Sequence, residues 1–296
     1  MPPPSPRSLP ESPIRLLSRS DLRACADLSE DRGWPRDEHR WGLLLSAGTA
    51  YGIESPEDEG ILAACVVTSY GLDLAAIGMM LVAARHARQG LGMRLMRHVI
   101  ESHGSSPLSL YATAEGRPLY GTLGFRPVGT VERLVGHLRP GHVPDGRREP
   151  APSGVLTRPA RAADLRAIVD LDRKAFGADR DHVLARLPAF SDRFVVAEAM
   201  GELVGYAALW PSEETHVLGP LIAQQTSIAQ LLVTSLAAAT DRPLRVEIDD
   251  HHQELLGWLR ENGLQAASTT TLMVRGCAEL PGDRAIRFAP LTVATG

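Results

Sequence analysis

Residues 77–100 read IGMMLVAARHARQGLGMRLMRHVI. The stretch opens with an apolar run, residues 77–83, whose length is typical of a buried strand. From Leu91 onward the apolar residues recur at helical spacing, with arginine and histidine on the opposite face. Gly90 and Gly92 lie in the turn between the two patterns. The stretch therefore predicts a strand that runs into a helix N-terminus, where free backbone N–H groups and the positive end of the helix dipole favour a phosphate.

Glycines at a strand-to-helix turn are often required only by the turn itself, so a second stretch is needed to interpret them. Residues 119–125 read LYGTLGF, which places Tyr120 shortly before a Gly-Phe pair. Together the two stretches resemble the GNAT superfamily of acyl-CoA-dependent N-acetyltransferases. In that family a strand, a glycine-rich pyrophosphate loop and a helix are followed by a strand and a short helix bearing a tyrosine before Gly-Phe. The resemblance implies an α/β (α+β) fold in which a mixed, mostly antiparallel central sheet is flanked by helices.

Size and composition narrow the class of protein. The length of 296 residues predicts two domains of roughly 130–150 residues each, and 44% hydrophobic with 22% charged residues is ordinary for a soluble globular protein.

The first residues, MPPPSPRSLPESP, have no signal-peptide core, and no apolar run approaches the roughly 20 residues that span a bilayer. We therefore expect a cytoplasmic protein with no membrane partner. The net charge of −4 gives no reason to expect nucleic acid, and three scattered cysteines indicate neither a disulfide framework nor a metal site.

An internal repeat supports two domains. The motif DLRAxxDL occurs at residues 21–28 and 164–171, an offset of 164 − 21 = 143 residues. A Pro-rich segment between the copies has the composition of a linker. We predict two tandem GNAT-like domains, divided into a flexible tail at residues 1–12, a catalytic domain at 13–139, a linker at 140–154 and a degenerate domain at 155–296.

The second copy has lost the features that suggest chemistry. Its apolar run aligns with the first when Gly219 is matched with Gly78. The following residues, 224–230, contain no glycine and are too few for the phosphate-binding turn. Leu259 stands opposite Tyr120 when the two later motifs are aligned. The second domain is therefore interpreted as a structural or substrate-lining copy.

The resemblance implies that acetyl-CoA is the cosubstrate. Its diphosphate would be held by the backbone N–H groups of the turn, those of Arg88, Gln89, Gly90, Leu91, Gly92 and Met93. Met80, Leu81 and Val82 would lie beside the pantetheine arm, where a backbone N–H would polarise the thioester carbonyl. Tyr120 would be the general acid, because a phenol with a reference pKa near 10 suits a thiolate of similar basicity. The alternative for Tyr120 is a packed aromatic whose hydroxyl only meets water.

Two positions depart from the family pattern. Ala87 stands where the family usually has Arg or Gln, three residues before the first loop glycine, so Arg88 or Gln89 would take over. Thr113 stands seven residues before the tyrosine, where the family often has Asn. The threonine hydroxyl could still bond the pantetheine amides.

The acceptor side of the reaction is less defined by the sequence. A free amine is mostly protonated at neutral pH and needs a base, directly or through water. Residues between Trp34 and Trp41, or near predicted strand ends, are candidates: Asp37, Glu38, His39, Glu54, Tyr70 and Asp73. For each of them a solvated surface side chain is the more common explanation, so no single base is selected.

The resulting hypothesis is an acetyl-CoA-dependent N-acetyltransferase that acts on a primary amine of a small molecule by direct attack on the thioester. One alternative is an enzyme like mycothiol synthase, which resembles this chain in its tandem GNAT architecture. Another is a non-catalytic module that binds CoA and uses its second domain for protein contacts; Tyr120 argues against it because a sensor needs no acid. A homodimer is left open as the oligomeric state.

Overall fold

The computed structural model describes residues 12–55, 60–139 and 154–296. The predicted flexible tail, apart from Ser12, and the predicted linker, apart from Gly154, lie outside the described residues. The remaining division into domains at residues 13–139 and 155–296 stays a prediction. Within the described ranges no helix is long and apolar enough to cross a membrane.

The first half has six strands, of which the first five are neighbours in the sheet and the sixth is separated from them by a strand of the second half. The strands are β1 (Ile14–Leu17), β2 (Thr49–Glu54), β3 (Ile61–Tyr70), β4 (Leu74–Val82), β5 (Leu108–Ala112) and β6 (Arg126–Gly136). The helices are α1 (Leu22–Asp31), α2 (Glu38–Ala47), α3 (Leu91–His103) and α4 (Arg117–Thr122). The predicted strand-turn-helix at residues 77–100 corresponds to β4 and α3, with β4 beginning three residues earlier than the apolar run.

The second half repeats this order with additional short elements. Its strands are β7 (Val155–Pro159), β8 (Arg193–Ala199), β9 (Glu202–Ser212), β10 (Thr215–Ala223), β11 (Leu244–Asp249), β12 (Gln265–Arg275) and β13 (Arg287–Ala289). Its helices are α5 (Leu165–Phe176), α6 (Asp181–Leu184), α7 (Leu187–Phe190), α8 (Thr226–Ala237) and α9 (Gln253–Glu261).

The two halves share one sheet, in the order β1-β2-β3-β4-β5-β12-β6-β11-β10-β9-β8-β7, with β13 paired to β10. Strand β12 of the second half lies between β5 and β6 of the first, and β6 in turn pairs with β11 of the second. Each half therefore gives its last long strand to the sheet of the other. Since unpaired backbone groups in a sheet interior are costly, neither half completes its hydrogen bonding alone.

The faces of the first half are covered by different helices. Ile77 of β4 packs in the cluster that contains the apolar side of α3, whereas Met79 and Leu81 pack with α1 and α2. The register between β3 and β4 shifts at this point, and Met79 has a φ of +50°. The shift is a β-bulge, which inserts one residue and increases the local twist.

The internal repeat is also visible in side-chain contacts. Arg15 Nη2 lies 2.6 Å from Asp21 Oδ1 in the first half, and Arg158 Nη2 lies 2.9 Å from Asp164 Oδ1 in the second. Each of these guanidinium groups also bonds a glutamate on a neighbouring strand. The offset of the arginines, 158 − 15 = 143, equals that of the sequence motif. The two halves thus conserve the ion pair that fixes the first strand to the first helix.

Candidate active site

The turn between β4 and α3 has the geometry of an anion-binding site. Val82 ends the strand, a short 3-10 turn follows, and α3 begins at Leu91. Arg88 and Gly90 have φ values of +62° and +84°. Within the described part of the chain, no protein carbonyl accepts a hydrogen bond from the backbone amides of residues 88–93. Successive free amides at the N-terminus of a helix favour a phosphate group.

The two glycines of this turn serve different purposes. Gly90 is the N-cap of α3 in the left-handed region, which side chains other than glycine rarely adopt. A Cβ on Gly92 would lie 3.5 Å from Cγ2 of Val82 and 3.6 Å from Cδ2 of Leu119. These are ordinary contact distances, so packing within the protein does not require this glycine. The Cβ would instead enter the space between β4 and α4 beside the free amides. Because glycine leaves this space open, the turn fits a diphosphate and the arm attached to it.

Strands β4 and β5 separate next to this turn. They are parallel neighbours only from Ala75 to Ile77, where Ile77 is opposite Leu110. Beyond the bulge, Leu81 and Val82 pair with β3 on one side, and the other edge of residues 80–82 has no neighbouring strand among the described residues. This opening between β4 and β5, called the splay below, exposes backbone groups to a bound molecule.

Tyr120 lies in α4, where Pro118 occupies the first turn. Its ring packs in the cluster that includes Met80, Leu119 and the apolar side of α3, with 8% of the residue exposed. Burial raises the pKa of Tyr120 above its usual value, and Cys65 contributes in the same direction. Among the described residues the hydroxyl has no hydrogen-bond partner. The side chain is therefore a protonated donor with a free hydroxyl.

Thr113 follows β5 directly and is half-buried. Its Oγ1 accepts a hydrogen bond from the Gly116 amide at 3.2 Å, and its carbonyl accepts one from Arg117 at 3.0 Å. The side chain therefore shapes the turn that leads into α4. Its hydroxyl hydrogen remains available as a donor.

The second half has the same order of strands and helices, but it lacks the long turn with free amides and the tyrosine. Strand β10 ends at Ala223 and α8 begins at Thr226, so only two residues replace the turn between β4 and α3. Leu259 is fully buried in α9. The Leu264 amide donates to the Leu259 carbonyl at 3.0 Å, just as the Phe125 amide donates to the Tyr120 carbonyl at 3.1 Å. Leu259 thus occupies the backbone position of Tyr120, as the sequence alignment predicts.

Comparisons with known proteins match both halves. Residues 57–139 and residues 168–289 each match a model described as an acetyltransferase (GNAT) domain. An uncharacterised N-acetyltransferase, YitH, of Bacillus subtilis strain 168 is 30% identical over 245 residues, which is 82% of each chain. The chain belongs to the GNAT N-acetyltransferase superfamily.

Solved structures agree with this fold. A putative acetyltransferase from Pyrococcus horikoshii aligns with a TM-score of 0.78 at 19% identity, covering 96% of this chain and 95% of its own. A GCN5-related N-acetyltransferase from Sphaerobacter thermophilus gives 0.63 at 17%, covering 97% and 100%. A tandem GNAT protein from the clavulanic acid biosynthesis pathway gives 0.62 at 13%, covering 90% and 99%. The predicted fold class, the tandem GNAT family and the acyltransferase class are confirmed.

Three of the candidate bases of this acetyltransferase are engaged in contacts between its halves. Asp37 caps α2 by accepting from the Arg40 amide at 2.9 Å, and it accepts from Ser212 Oγ of β9 at 2.6 Å. The ring of His39 stacks on Phe190 of α7 at 4.2 Å. Tyr70 is fully buried, its hydroxyl donates to the carbonyl of Thr295, and burial raises its pKa. The expectation of a solvated surface side chain is wrong for Asp37 and Tyr70, which are buried, whereas His39 stays exposed although its ring stacks on Phe190.

The other three candidates match that expectation. Glu38 lies 3.2 Å from an Arg36 nitrogen, and Glu54 lies 2.6 Å from Arg15 Nε. Asp73 is exposed in the turn between β3 and β4. None of the six candidates is brought to the splay as a free base.

The sequence does not assign a place to residues 287–296 of the acetyltransferase. The structure buries nearly all of them, and Ala294 lies directly against Gly78 of β4. The available signal is the dense apolar run at residues 286–294, IRFAPLTVA. A run of that length indicates burial, but it does not indicate which domain provides the contact.

Proposed function

We propose that the first domain transfers an acetyl group from acetyl-CoA to the primary amine of a small molecule. The observation that carries the proposal is the difference at matched positions of the two domains. The first domain has a turn with free amides between β4 and α3, and it has Tyr120 in α4. At the matched positions the second domain has a connection of only two residues between β10 and α8, and Leu259 in α9. A domain that only held the fold together would need neither feature.

Acetyl-CoA supplies an activated acetyl group as a thioester. In the proposed mechanism the amides of residues 88–93 bind the diphosphate, and the free edge of Met80–Val82 donates a backbone N–H to the thioester carbonyl. The amine nitrogen forms the new C–N bond as the C–S bond breaks. Tyr120 then gives its proton to the departing thiolate; its hydroxyl is protonated at neutral pH already at the reference pKa near 10, and burial raises the pKa further.

The proton that the amine loses is proposed to leave through water. The six side chains considered as bases are paired, packed or exposed away from the splay. A small acceptor is favoured because α1, α2 and residues of the second domain cover the side of β4 opposite α3. This cover restricts the approach of a folded protein surface to the splay.

The test is release of free CoA thiol over a panel of acceptors. Small primary amines, short peptides and an intact protein are each incubated with acetyl-CoA and the full chain, and the acetylated product is identified by mass. We expect thiol release and an N-acetyl product with at least one small amine. Thiol release only with the protein acceptor would contradict the small-molecule proposal, and no acceptor-dependent release at all would contradict the catalytic one.

A further inference from the structure

The segment that follows β12 crosses from the second domain to the first. Strand β13 pairs antiparallel with β10, with Ala289 opposite Leu221. Strands β10 and β11 are parallel neighbours only up to Leu218, so β13 lies where these two strands separate. The opening that corresponds to the splay of the first domain is therefore filled by the protein's own backbone.

Beyond β13 the chain passes both glycines that the sequence alignment matched. A Cβ on Gly219 would lie 2.3 Å from the carbonyl oxygen of Pro290. A Cβ on Gly78 would lie 2.5 Å from the Cα of Ala294. Both distances are too short for any side chain, so each glycine is required by the close approach of this one segment. The crossing connects equivalent points of the two domains.

The segment is held in place by hydrogen bonds to both domains. The Thr295 carbonyl accepts from the Tyr70 hydroxyl of β3, and the Thr295 amide donates to the Thr292 carbonyl at 2.9 Å. The oxygen of Gly296 is 3.4 Å from Nη1 of Arg180, whose guanidinium also bonds Asp172 at 3.0 Å. These contacts hold the backbone between residues 292 and 296.

The two faces of β4 beside the splay are covered by different parts of the chain. Helices α3 and α4, with Tyr120, cover one face of β4, on the side of the departing thiolate. The other face at Gly78, next to the bulge at Met79, is covered by Ala294. A nucleophile must come within about 3–3.5 Å of the carbonyl carbon. The substituents of an amine that attacks from this face would therefore meet the crossing segment.

We infer that residues 291–294, contributed by the second domain, form the end wall of the acceptor site and limit the size of the amine. The inference rests on the proposed acetyl transfer. Val293 is the one residue of the segment 290–296 that is not fully buried, so it is the position at which the proposed wall can be changed without disturbing packed side chains. Thr295 and Gly296 act as anchors of the wall, and Tyr70 is a positioning residue that acts through Thr295.

The test compares Val293→Phe and Val293→Ala with the unmodified chain on primary amines of increasing size. We expect Val293→Phe to raise the KM of the larger amines about tenfold or more relative to the smallest, and Val293→Ala to shift the preference in the opposite direction. The KM for acetyl-CoA should stay within about twofold in both variants, because the loop at residues 88–93 is untouched. Val155→Phe, a half-buried valine in the edge strand β7, is the matched control and should leave the ranking unchanged. An unchanged ranking of the amines in both Val293 variants would overturn the inference that residues 291–294 limit the size of the amine.

A second measurement checks the segment without relying on the Val293 variants. A Cβ on Gly296 would lie 3.3 Å from Cβ of Ala76, a few tenths of an ångström below the roughly 3.5–4.5 Å of disulfide-bonded cysteines, so a small shift of the backbone would allow the bond. We expect Ala76→Cys/Gly296→Cys, in a Cys277→Ser background, to form a disulfide by thiol count and mass, and the oxidised protein to keep its amine ranking. Absence of the disulfide would contradict the inference that residues 291–294 form a fixed wall. Acetyl transfer that is lost on oxidation and returns on reduction would contradict it as well. Failure of the unmodified chain to acetylate any amine would instead overturn the proposed function on which the inference rests.

Discussion

The first and second domains differ most where their fourth strands end. In the first, residues 83–90 separate β4 from α3 and present free backbone amides; in the second, only residues 224–225 separate β10 from α8. The second domain also fills its strand opening with β13. Yet both keep the same arginine–aspartate pair at the first helix and the same hydrogen bonds after α4 and α9. The contacts that hold this fold are separate from the features proposed to bind a donor, so a domain without those features keeps the same structure.

The largest effect is expected from removing the second domain. A fragment of residues 1–139 loses β12, the strand that joins β5 to β6, and exposes the apolar surface that contacts the second half. We expect it to aggregate or to lose all acetyl transfer, as measured by size-exclusion chromatography and thiol release. A soluble, monomeric and fully active fragment would show that the exchanged strand is dispensable.

Introducing charge into the turn at residues 83–90 should abolish donor binding. Gly90→Glu places a carboxylate beside the free amides and a side chain at a φ of +84°, so we expect no acetyl-CoA binding by calorimetry. Gly201→Glu is the control, because Gly201 has a φ of +83° and equally open surroundings in the second domain. It carries the same strain and should bind one acetyl-CoA per chain. Two equivalent sites per chain would contradict the loss of binding in the second domain.

Tyr120→Phe tests the comparison with Leu259 directly. The change removes one oxygen and keeps the ring, so folding and acetyl-CoA affinity should change little. We expect kcat to fall by about 10²–10⁴-fold, toward the lower end if water donates the proton instead. Leu259→Tyr, combined with Tyr120→Phe, should restore nothing because the second domain has no turn to hold a donor. An unchanged kcat, measured where chemistry limits turnover, would remove Tyr120 from the mechanism.

The smallest effect concerns the ion pair that both domains share. The Arg158 guanidinium lowers the pKa of Asp164 to about 2. Because the folded pKa is lower than the unfolded value near 3.9, the charged carboxylate stabilises the fold above about pH 4, and this contribution is lost as pH falls toward 2. The difference in Tm between the unmodified protein and Asp164→Asn should therefore be largest near neutral pH and shrink between about pH 4 and 2. Asp21→Asn should behave similarly, because Arg15 lowers the pKa of Asp21 too; a pH-independent difference would contradict the assignment.

Local signals in the sequence predict the scaffold and the elements on which the candidate site residues lie. The apolar run before Gly90, the spacing after Leu91 and the Gly-Phe pair after Tyr120 each report contacts within a few residues. The structure supplies the matching elements at these positions. The repeat with an offset of 143 residues corresponds to an ion pair formed within six residues of sequence in each half.

Contacts between distant residues could not be predicted in this way. The bond from Tyr70 to Thr295 joins residues 225 apart, and Ser212 bonds Asp37 across 175 residues. No periodicity encodes such pairings, so the sequence alone predicts surface or acceptor-site side chains for the polar residues near Trp34 and Trp41. Gly78 and Gly219 illustrate the same limit: alignment matches them, but only the crossing segment explains why both are glycine.

The exchanged strand also sets an order for synthesis on the ribosome. Strand β6 ends at Gly136 and β12 at Arg275, so 275 − 136 = 139 further residues must be translated before β5 and β6 receive the strand that joins them. At roughly 5–20 residues per second this is a delay of about 7–28 s. During that time the nascent first domain has two open sheet edges, and the face of β4 that Ala294 covers in the complete chain is open. A slow-translating host, or a gene divided between the domains, would lengthen the period in which those edges can pair with another chain.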